Sequence, residues 1–363
     1  WSLQWLVGLH RLGHEVYFVE KSTYPDSCYD PVRQENGDDF AYGLKTVAEL
    51  LERFGLGGRI CYVDYQGGYH GIERSGIEEV FRTADLFLDL GTHGAWLEEA
   101  NQAGTTTVLV DGEPGYTQIR MAKQLAAGQR PPEYDFYFTN GANIGTTHST
   151  APTAGKAWRG IFNPVVPELF PAVPVADRAP FTTVMNWQSH PPLEFEGQPY
   201  GQKDVEFARF IDLPGCVSVP MEVAVAGRNV PHSELKRAGW QVSDAQQRTI
   251  SFDSYREYIQ GSCGEFSVCK NVFVALHTGW FSDRSAAYLA SGRPVVLQDT
   301  GFSAHLPTGE GLFAVNSVEE ASAAIAEVEA DYSRHSQRAR RIADEHLGSH
   351  HLLGRFLREL SIR

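Results

Sequence analysis

Residues 277–301 read HTGWFSDRSAAYLASGRPVVLQDTG, the densest set of groups in the chain able to grip an anion. A turn at 278–282 leads into a helical pattern over 283–291, which Gly292 stops, and a buried strand follows at 294–297. Ser282 or Asp283 is a natural N-cap. Such a helix start offers unpaired backbone N–H groups and the positive end of the peptide dipole. The dipole contributes only about 0.3–1 kcal/mol, against roughly 1.5–3 kcal/mol for each hydrogen bond to a charged group. A diphosphate therefore needs direct donors, and His277, Ser282, Arg284 and Ser285 can supply them. A cation as near the helix start as Arg284 opposes the dipole, which implies either an arriving anion or a neighbouring carboxylate. Lys203 and Lys270 could neutralise the same charge, unless they are ordinary solvated lysines.

A second group of chemical residues lies earlier. A strand at 106–110 delivers Asp111, Gly112 and Glu113 into the loop at its C-terminal end. A hydroxyl that must lose its proton needs a carboxylate or imidazole beside it, so Asp111 and Glu113, with His93 behind them, are candidate bases. Glu113 and Pro114 could equally start the next helix, and the DGE triplet could pass for a metal-binding D-x-D pair. Phe252 and Tyr255 follow a strand and could stack on a nucleobase or pack in the core. Asn140, Gly141, Asn143 and Gly145 occupy either a cleft-facing loop or a tight turn.

The elements that must position these groups alternate between helical and strand patterns. In the first half, strands are expected at 15–20, 59–65, 85–90, 106–111 and 134–139, with a helix at 40–54, which implies a doubly wound parallel sheet. The chain opens on a helical pattern at Trp1, so a preceding strand and turn are expected to be missing. A proline-rich stretch at 163–174 reads as a linker. The pattern then restarts, with strands at 181–187, 221–226, 241–242, 265–268 and 293–299, a helix at 253–260 and a helical tail over 318–360. The expected fold class is α/β. Its divisions are an N-terminal Rossmann-like domain at 1–162, a linker at 163–177, a second domain at 178–345 and a terminal helix at 346–363 that returns to the first domain. The D-x-D reading belongs to enzymes with one such domain, and a second complete αβ half argues against it.

Composition narrows the class. At 363 residues, 42% of them hydrophobic, there is material for two cores. A formal net charge of −14 and the lack of a long Lys/Arg block argue against nucleic acid. No apolar run reaches the length of a membrane span and no start resembles a signal peptide, so a cytoplasmic location is expected. Five cysteines without C-x-x-C spacing read as free thiols.

His277, Gly279, Trp280 and Ser282 resemble the H-x-G-W-x-S phosphate-binding element of nucleotide-sugar-dependent glycosyltransferases, and LASGRPVV at 289–296 resembles the helix end and strand that follow it in enzymes of the GT-B fold. The chain also resembles a group of bacterial glycosyltransferases through 280–301 and YPDSCYDP at 24–31. The resemblance implies two Rossmann-like domains facing across a cleft, with a nucleoside diphosphate sugar as co-substrate and no metal or other cofactor. It implies that His277, Ser282 and the helix start hold the diphosphate, and that Gln298, Asp299, Thr300 and Gly301 touch the sugar. Two departures stand out. The interval from the His to the SG-x-P element is two residues longer than in the plant-type motif, and Ser285 or Ala287 replaces the usual ribose-binding Glu, leaving Asp283 as a substitute. A nucleotide-sugar epimerase and a non-catalytic two-domain sugar- or nucleotide-binding protein are the alternatives. Trp5, Tyr24, Tyr29, Tyr69 and Tyr116 could line an apolar acceptor pocket, and the protein is expected to act as a monomer or homodimer.

Overall fold

The computed structural model describes residues 1–362 apart from 32, 34, 92, 93, 190 and 191. In the C-terminal half six strands form one all-parallel sheet. They are β6 (Phe181–Asn186), β7 (Met221–Ala226), β8 (Gln241–Asp244), β9 (Gly264–Ser267), β10 (Val295–Gln298) and β11 (Leu312–Val315), in the order β8-β7-β6-β9-β10-β11. Every residue of β9 and β10 is buried, because helices cover both faces of a parallel sheet; β10 (VVLQ) reads as an apolar run, whereas β9 (GEFS) buries Glu265 and Ser267 against Arg284. One face packs on Phe207, Phe210, Leu213 and Trp240, with Phe266 of β9 against Phe210 and Trp240 at 5.5 and 6.0 Å.

The N-terminal half departs from the single sheet expected. Its strands are β1 (Phe18–Lys21), β2 (Ile60–Val63), β3 (Leu86–Asp89), β4 (Thr106–Asp111) and β5 (Phe136–Thr139). β1 and β2 pair in parallel, and β2 continues antiparallel to Tyr69–Gly71. β3, β4 and β5 form a separate parallel sheet that ends on Trp158–Gly160. Among the described residues β1 and β3 each stand at the edge of their own sheet. Short hairpins at Cys28–Asp30 with Glu35–Gly37 and at Leu193–Phe195 with Gln198–Tyr200 were not legible as strands, being three residues long and polar.

The halves share a core. The apolar cluster containing Val7, Leu51 and Ile119 runs unbroken into Phe273, Trp280, Phe281 and Ala286. The proline-rich linker is part of this packing, since Val165 exchanges backbone hydrogen bonds with Leu347 and Ser349 at 2.9 and 2.8 Å. Helix α5 (Ser349–Glu359) returns to the first half and lies on α1 (Ser2–Arg11). Phe356 meets Trp5 and Phe138 edge-on at 5.4 and 4.9 Å, and Gly8 lets the helices close, since a Cβ there would sit 2.6 Å from Leu353. No helix among the described residues is long and apolar enough to cross a membrane.

Candidate functional site

The C-terminal ends of the strands in both halves face a cavity of about 880 Å³. Three cations reach it from three loops of the second half. Lys203 begins the short helix Lys203–Phe207 after β6, Lys270 follows β9, and Arg284 lies in the first turn of α4 (Asp283–Ala290). Ser282 caps α4, its hydroxyl accepting the Arg284 N–H at 3.2 Å, so the sequence signal for that cap is realised in the structure. Trp280, Asp283, Asn186 and Ser189 complete this wall, and Glu113 faces it from the turn between β4 and α3 (Tyr116–Ala126).

The three cations are held differently. Arg284 is buried and fixed: Nε donates to Glu265 at 2.5 Å, one terminal nitrogen to the Val184 carbonyl at 3.0 Å and the other to Ser267 at 2.7 Å. Burial opposes its charge, but the Glu265 carboxylate outweighs that and raises its pKa above the ordinary value. The neighbouring carboxylate that the sequence allowed for is therefore present, and it neutralises Arg284 in place. Lys270 donates to Glu113 at 2.5 Å, an ion pair that spans the two halves.

Lys203 is 8% exposed, and no hydrogen bond or ion pair holds its ammonium among the described residues. Burial, reinforced by the Arg284 charge, depresses its pKa to about 7. Its helix is fixed from below by Glu206, which accepts from Asn271 at 2.7 Å and Gln298 at 2.5 Å. An unpaired, desolvated lysine that opens onto a cavity is an unfilled anion position.

Several expected site residues lie elsewhere. His277 is exposed, with φ of +48°, and does not line the cavity. The backbone of its turn is already committed: Asn143 of the N-terminal half donates from its side chain to the His277 carbonyl and from its backbone to Thr278, both at 3.0 Å, and the Gly279 N–H donates within its own half to Thr300 at 2.8 Å. The approach is close enough that a Cβ on Gly279 would meet Asn143 N at 2.8 Å and one on Gly301 would meet its Nδ2 at 2.5 Å. HTGW is thus a latch between the halves, and the loop at 140–143 is its receptor.

The sugar-contact set is likewise committed to structure. Gln298 bridges Cys269 N–H and Glu206, Asp299 accepts from Gly301 N–H and Ser303, and Thr300 donates to the Trp280 carbonyl. Ser285 is fully buried, with its hydroxyl unpartnered among the described residues, and does not reach the cavity. Phe252 and Tyr255 pack against Phe170, and Phe252 also against Phe54, as core residues.

Among the candidate bases, Asp111 is 2% exposed and accepts four hydrogen bonds: Glu113 N–H at 2.9 Å, Thr117 at 2.6 Å, Gln118 at 2.9 Å and Thr139 at 2.8 Å. It orders the β4 to α3 turn and has no face left for a substrate or metal. Glu113, the residue this turn presents, is a half-exposed carboxylate in the cavity, as is Asp283 on the opposite wall. His93 lies outside the described residues. Among the described residues no group of three His, Cys, Asp or Glu side chains could hold a metal ion.

Tyr29, Pro31, Tyr42, Gly43, Thr46 and Val47, together with Gln246, Thr249 and Ile250, form the outer walls of the cavity. Of the aromatics considered for an acceptor pocket, Tyr29 alone lies on this wall. Trp5 is in the core, Tyr24 is exposed, and Tyr116 sits beneath Lys270, whose ammonium is 5.4 Å from its ring centre. Tyr42 and Thr46 carried no sequence signal beyond their i, i+4 spacing on one helix face.

No family model and no curated protein matches the chain. Its fold matches solved structures over nearly its whole length. Anabaena HepE in complex with UDP-glucose superimposes with a TM-score of 0.56 at 12% identity, covering 96% of this chain and 100% of that one. A glycosyltransferase from Rickettsia africae gives 0.53 at 10% identity, covering 99% and 92%. AviGT4, a glycosyltransferase involved in avilamycin A biosynthesis, gives 0.50 at 14% identity, covering 95% and 97%. The shared architecture is the GT-B fold, two Rossmann-like domains facing across a cleft.

Proposed function

We propose that this chain is a glycosyltransferase that moves a sugar from a nucleoside diphosphate sugar to an acceptor hydroxyl, the donor lying on the C-terminal wall of the cleft. The observation that carries this reading is the unpaired Lys203 ammonium, set beside Lys270, Arg284 and the capped start of α4 at the C-terminal ends of a parallel sheet. A buried cation without a partner is costly unless a ligand completes it, and two phosphates are the groups this arrangement fits.

In the proposed reaction the acceptor oxygen bonds to the anomeric carbon as the bond from that carbon to the diphosphate breaks. The nucleoside diphosphate leaves with the electron pair, and the acceptor proton passes to Glu113. Lys203 and Lys270, with the start of α4, stabilise the charge that develops on the leaving group, so we propose transfer without a metal. Lys270 has a second part: its ion pair fixes the position of the Glu113 carboxylate across the cleft. The likeness to HepE, solved with UDP-glucose, makes a uridine donor the first to try. The reading has the enzyme working in the cytoplasm.

The test is release of UDP from UDP-glucose with and without a panel of acceptor alcohols, run with and without EDTA. Release accelerated by an acceptor and indifferent to EDTA is expected. Donor binding without acceptor-dependent release, across other nucleotide sugars as well, would sink the reading.

A further inference from the structure

Charge is divided along the cavity. Among the described residues, the five charged side chains on its wall, Glu113, Lys203, Lys270, Asp283 and Arg284, belong to the inner part described above, and the outer walls carry no charge. On one side stand Tyr29 and Pro31 of the hairpin and Tyr42, Gly43, Thr46 and Val47 of α2 (Ala41–Arg53); opposite them are Ala245, Gln246, Thr249 and Ile250.

Local structure explains why these groups face the cavity. Along the strand Cys28–Asp30 side chains alternate: Cys28 turns inward onto the Tyr62 hydroxyl at 3.3 Å, which sends Tyr29 outward. On α2 the spacing of Tyr42 with Thr46 and of Gly43 with Val47 puts all four on one face, and the Gly43–Val47 stripe runs on to Leu51, where it enters the core.

The outer walls are poor in hydrogen-bonding groups. Thr46 and Thr249 already donate to the Tyr42 and Ala245 carbonyls, each at 2.8 Å, leaving the Gln246 amide and the Tyr29 and Tyr42 hydroxyls as the polar side-chain groups there without a partner among the described residues. A sugar or a phosphorylated acceptor needs many such partners. An apolar ring needs few. The exposed apolar residues fit that demand: Tyr29 and Tyr42 are each 39% exposed and Ile250 is 44% exposed.

Gly43 is a second, independent observation. Glycine inside a helix is unfavourable relative to alanine, and here no neighbour demands it, since a Cβ at 43 would meet nothing within 4 Å. The missing side chain leaves open a stretch of cavity wall between Tyr42 and Val47.

Building on the transfer reading above, we propose that this uncharged wall is the acceptor site, and that the acceptor is an alcohol or phenol carried on a neutral, hydrophobic ring system, with Gly43 setting the room available to the ring. Tyr29 and Tyr42 supply the ring-stacking faces, and the acceptor hydroxyl points inward to Glu113.

The test uses 2-naphthol as probe and its own fluorescence as readout, so that binding is measured without a donor. Saturable binding to the wild-type chain is expected, weakened at least tenfold in Gly43→Phe, a variant in which the new side chain enters open space and the fold is kept. The affinity of Gly43→Phe for UDP-glucose should stay within twofold of wild type. With UDP-glucose present, 2-naphthol should speed UDP release at least tenfold and glucose 6-phosphate should not. The proposal is overturned if 2-naphthol shows no saturable binding, if Gly43→Phe binds it unchanged, or if Gly43→Phe loses UDP-glucose affinity in proportion, which would assign the wall to the nucleobase. Failure of the transfer reading looks different: naphthol binding persists, but no acceptor stimulates nucleotide release.

Discussion

Replacing Lys203 by methionine keeps the length of the side chain and removes its charge. A folded-state pKa of about 7 against an ordinary 10.5 means that burying the protonated ammonium costs on the order of 5 kcal/mol. The folded pKa is the lower of the two, so between about pH 7 and 10.5 the unfolded chain binds more protons than the folded one. The contribution of this group to stability therefore rises with pH across that window, and the penalty is complete below pH 7. Between pH 6 and pH 9 the wild-type chain should gain roughly 2–3 kcal/mol in urea-unfolding free energy that Lys203→Met does not gain.

Ligand binding reverses the balance. An anion beside Lys203 restores its proton, so at pH 8 binding UDP should take up about 0.9 proton, falling to about 0.1 at pH 6. Calorimetry in buffers of different ionisation enthalpy reads this number directly. Lys203→Met should take up none and should bind UDP roughly 10- to 100-fold more weakly, the worth of one charge-assisted hydrogen bond. UDP binding to the wild-type chain with no proton uptake at pH 8, or with unchanged affinity in Lys203→Met, would refute the assignment of Lys203 as the anion position.

Three further outcomes are expected. Glu113→Gln should lower turnover by about 10²–10⁴ while leaving donor affinity within a few-fold, because it removes the proton acceptor; normal turnover in a steady-state assay contradicts that role. Asp111→Asn should lower unfolding free energy by about 2–4 kcal/mol, since a saturated buried carboxylate loses two of its four donors, and an unchanged thermal midpoint contradicts the structural role. His277→Ala should leave both UDP affinity and thermal midpoint unchanged, as its imidazole is exposed and off the cavity; a tenfold loss of affinity would return His277 to the site.

What the sequence disclosed and what it hid follow from range. Buried parallel strands such as β10 and β4 are legible because both faces must be apolar, and α4 because Ser282 is a local cap followed by small residues. Lys203, Lys270, Arg284 and Glu113 reach one cavity because each follows a strand at the same end of a sheet, a rule that topology enforces. The function of the HTGW turn was not readable. Its groups are consumed by Asn143, more than a hundred residues away, and no local pattern reports that contact. Asp111 was hidden differently: three of its four donors, Glu113 N–H, Thr117 and Gln118, are local, but only the fold turns them and Thr139 of the neighbouring strand onto one carboxylate. Tyr42 and Gly43 were silent because a helix face turned to a cavity carries the same residues as one turned to solvent.

The most direct measurement of the central claim is a crystal structure of the chain with UDP. The account predicts the diphosphate in the interdomain cleft, with an oxygen about 2.8 Å from Lys203 Nζ and the phosphates over the start of α4. A diphosphate bound outside the cleft, or one seated in it with Lys203 still unpaired, would contradict it.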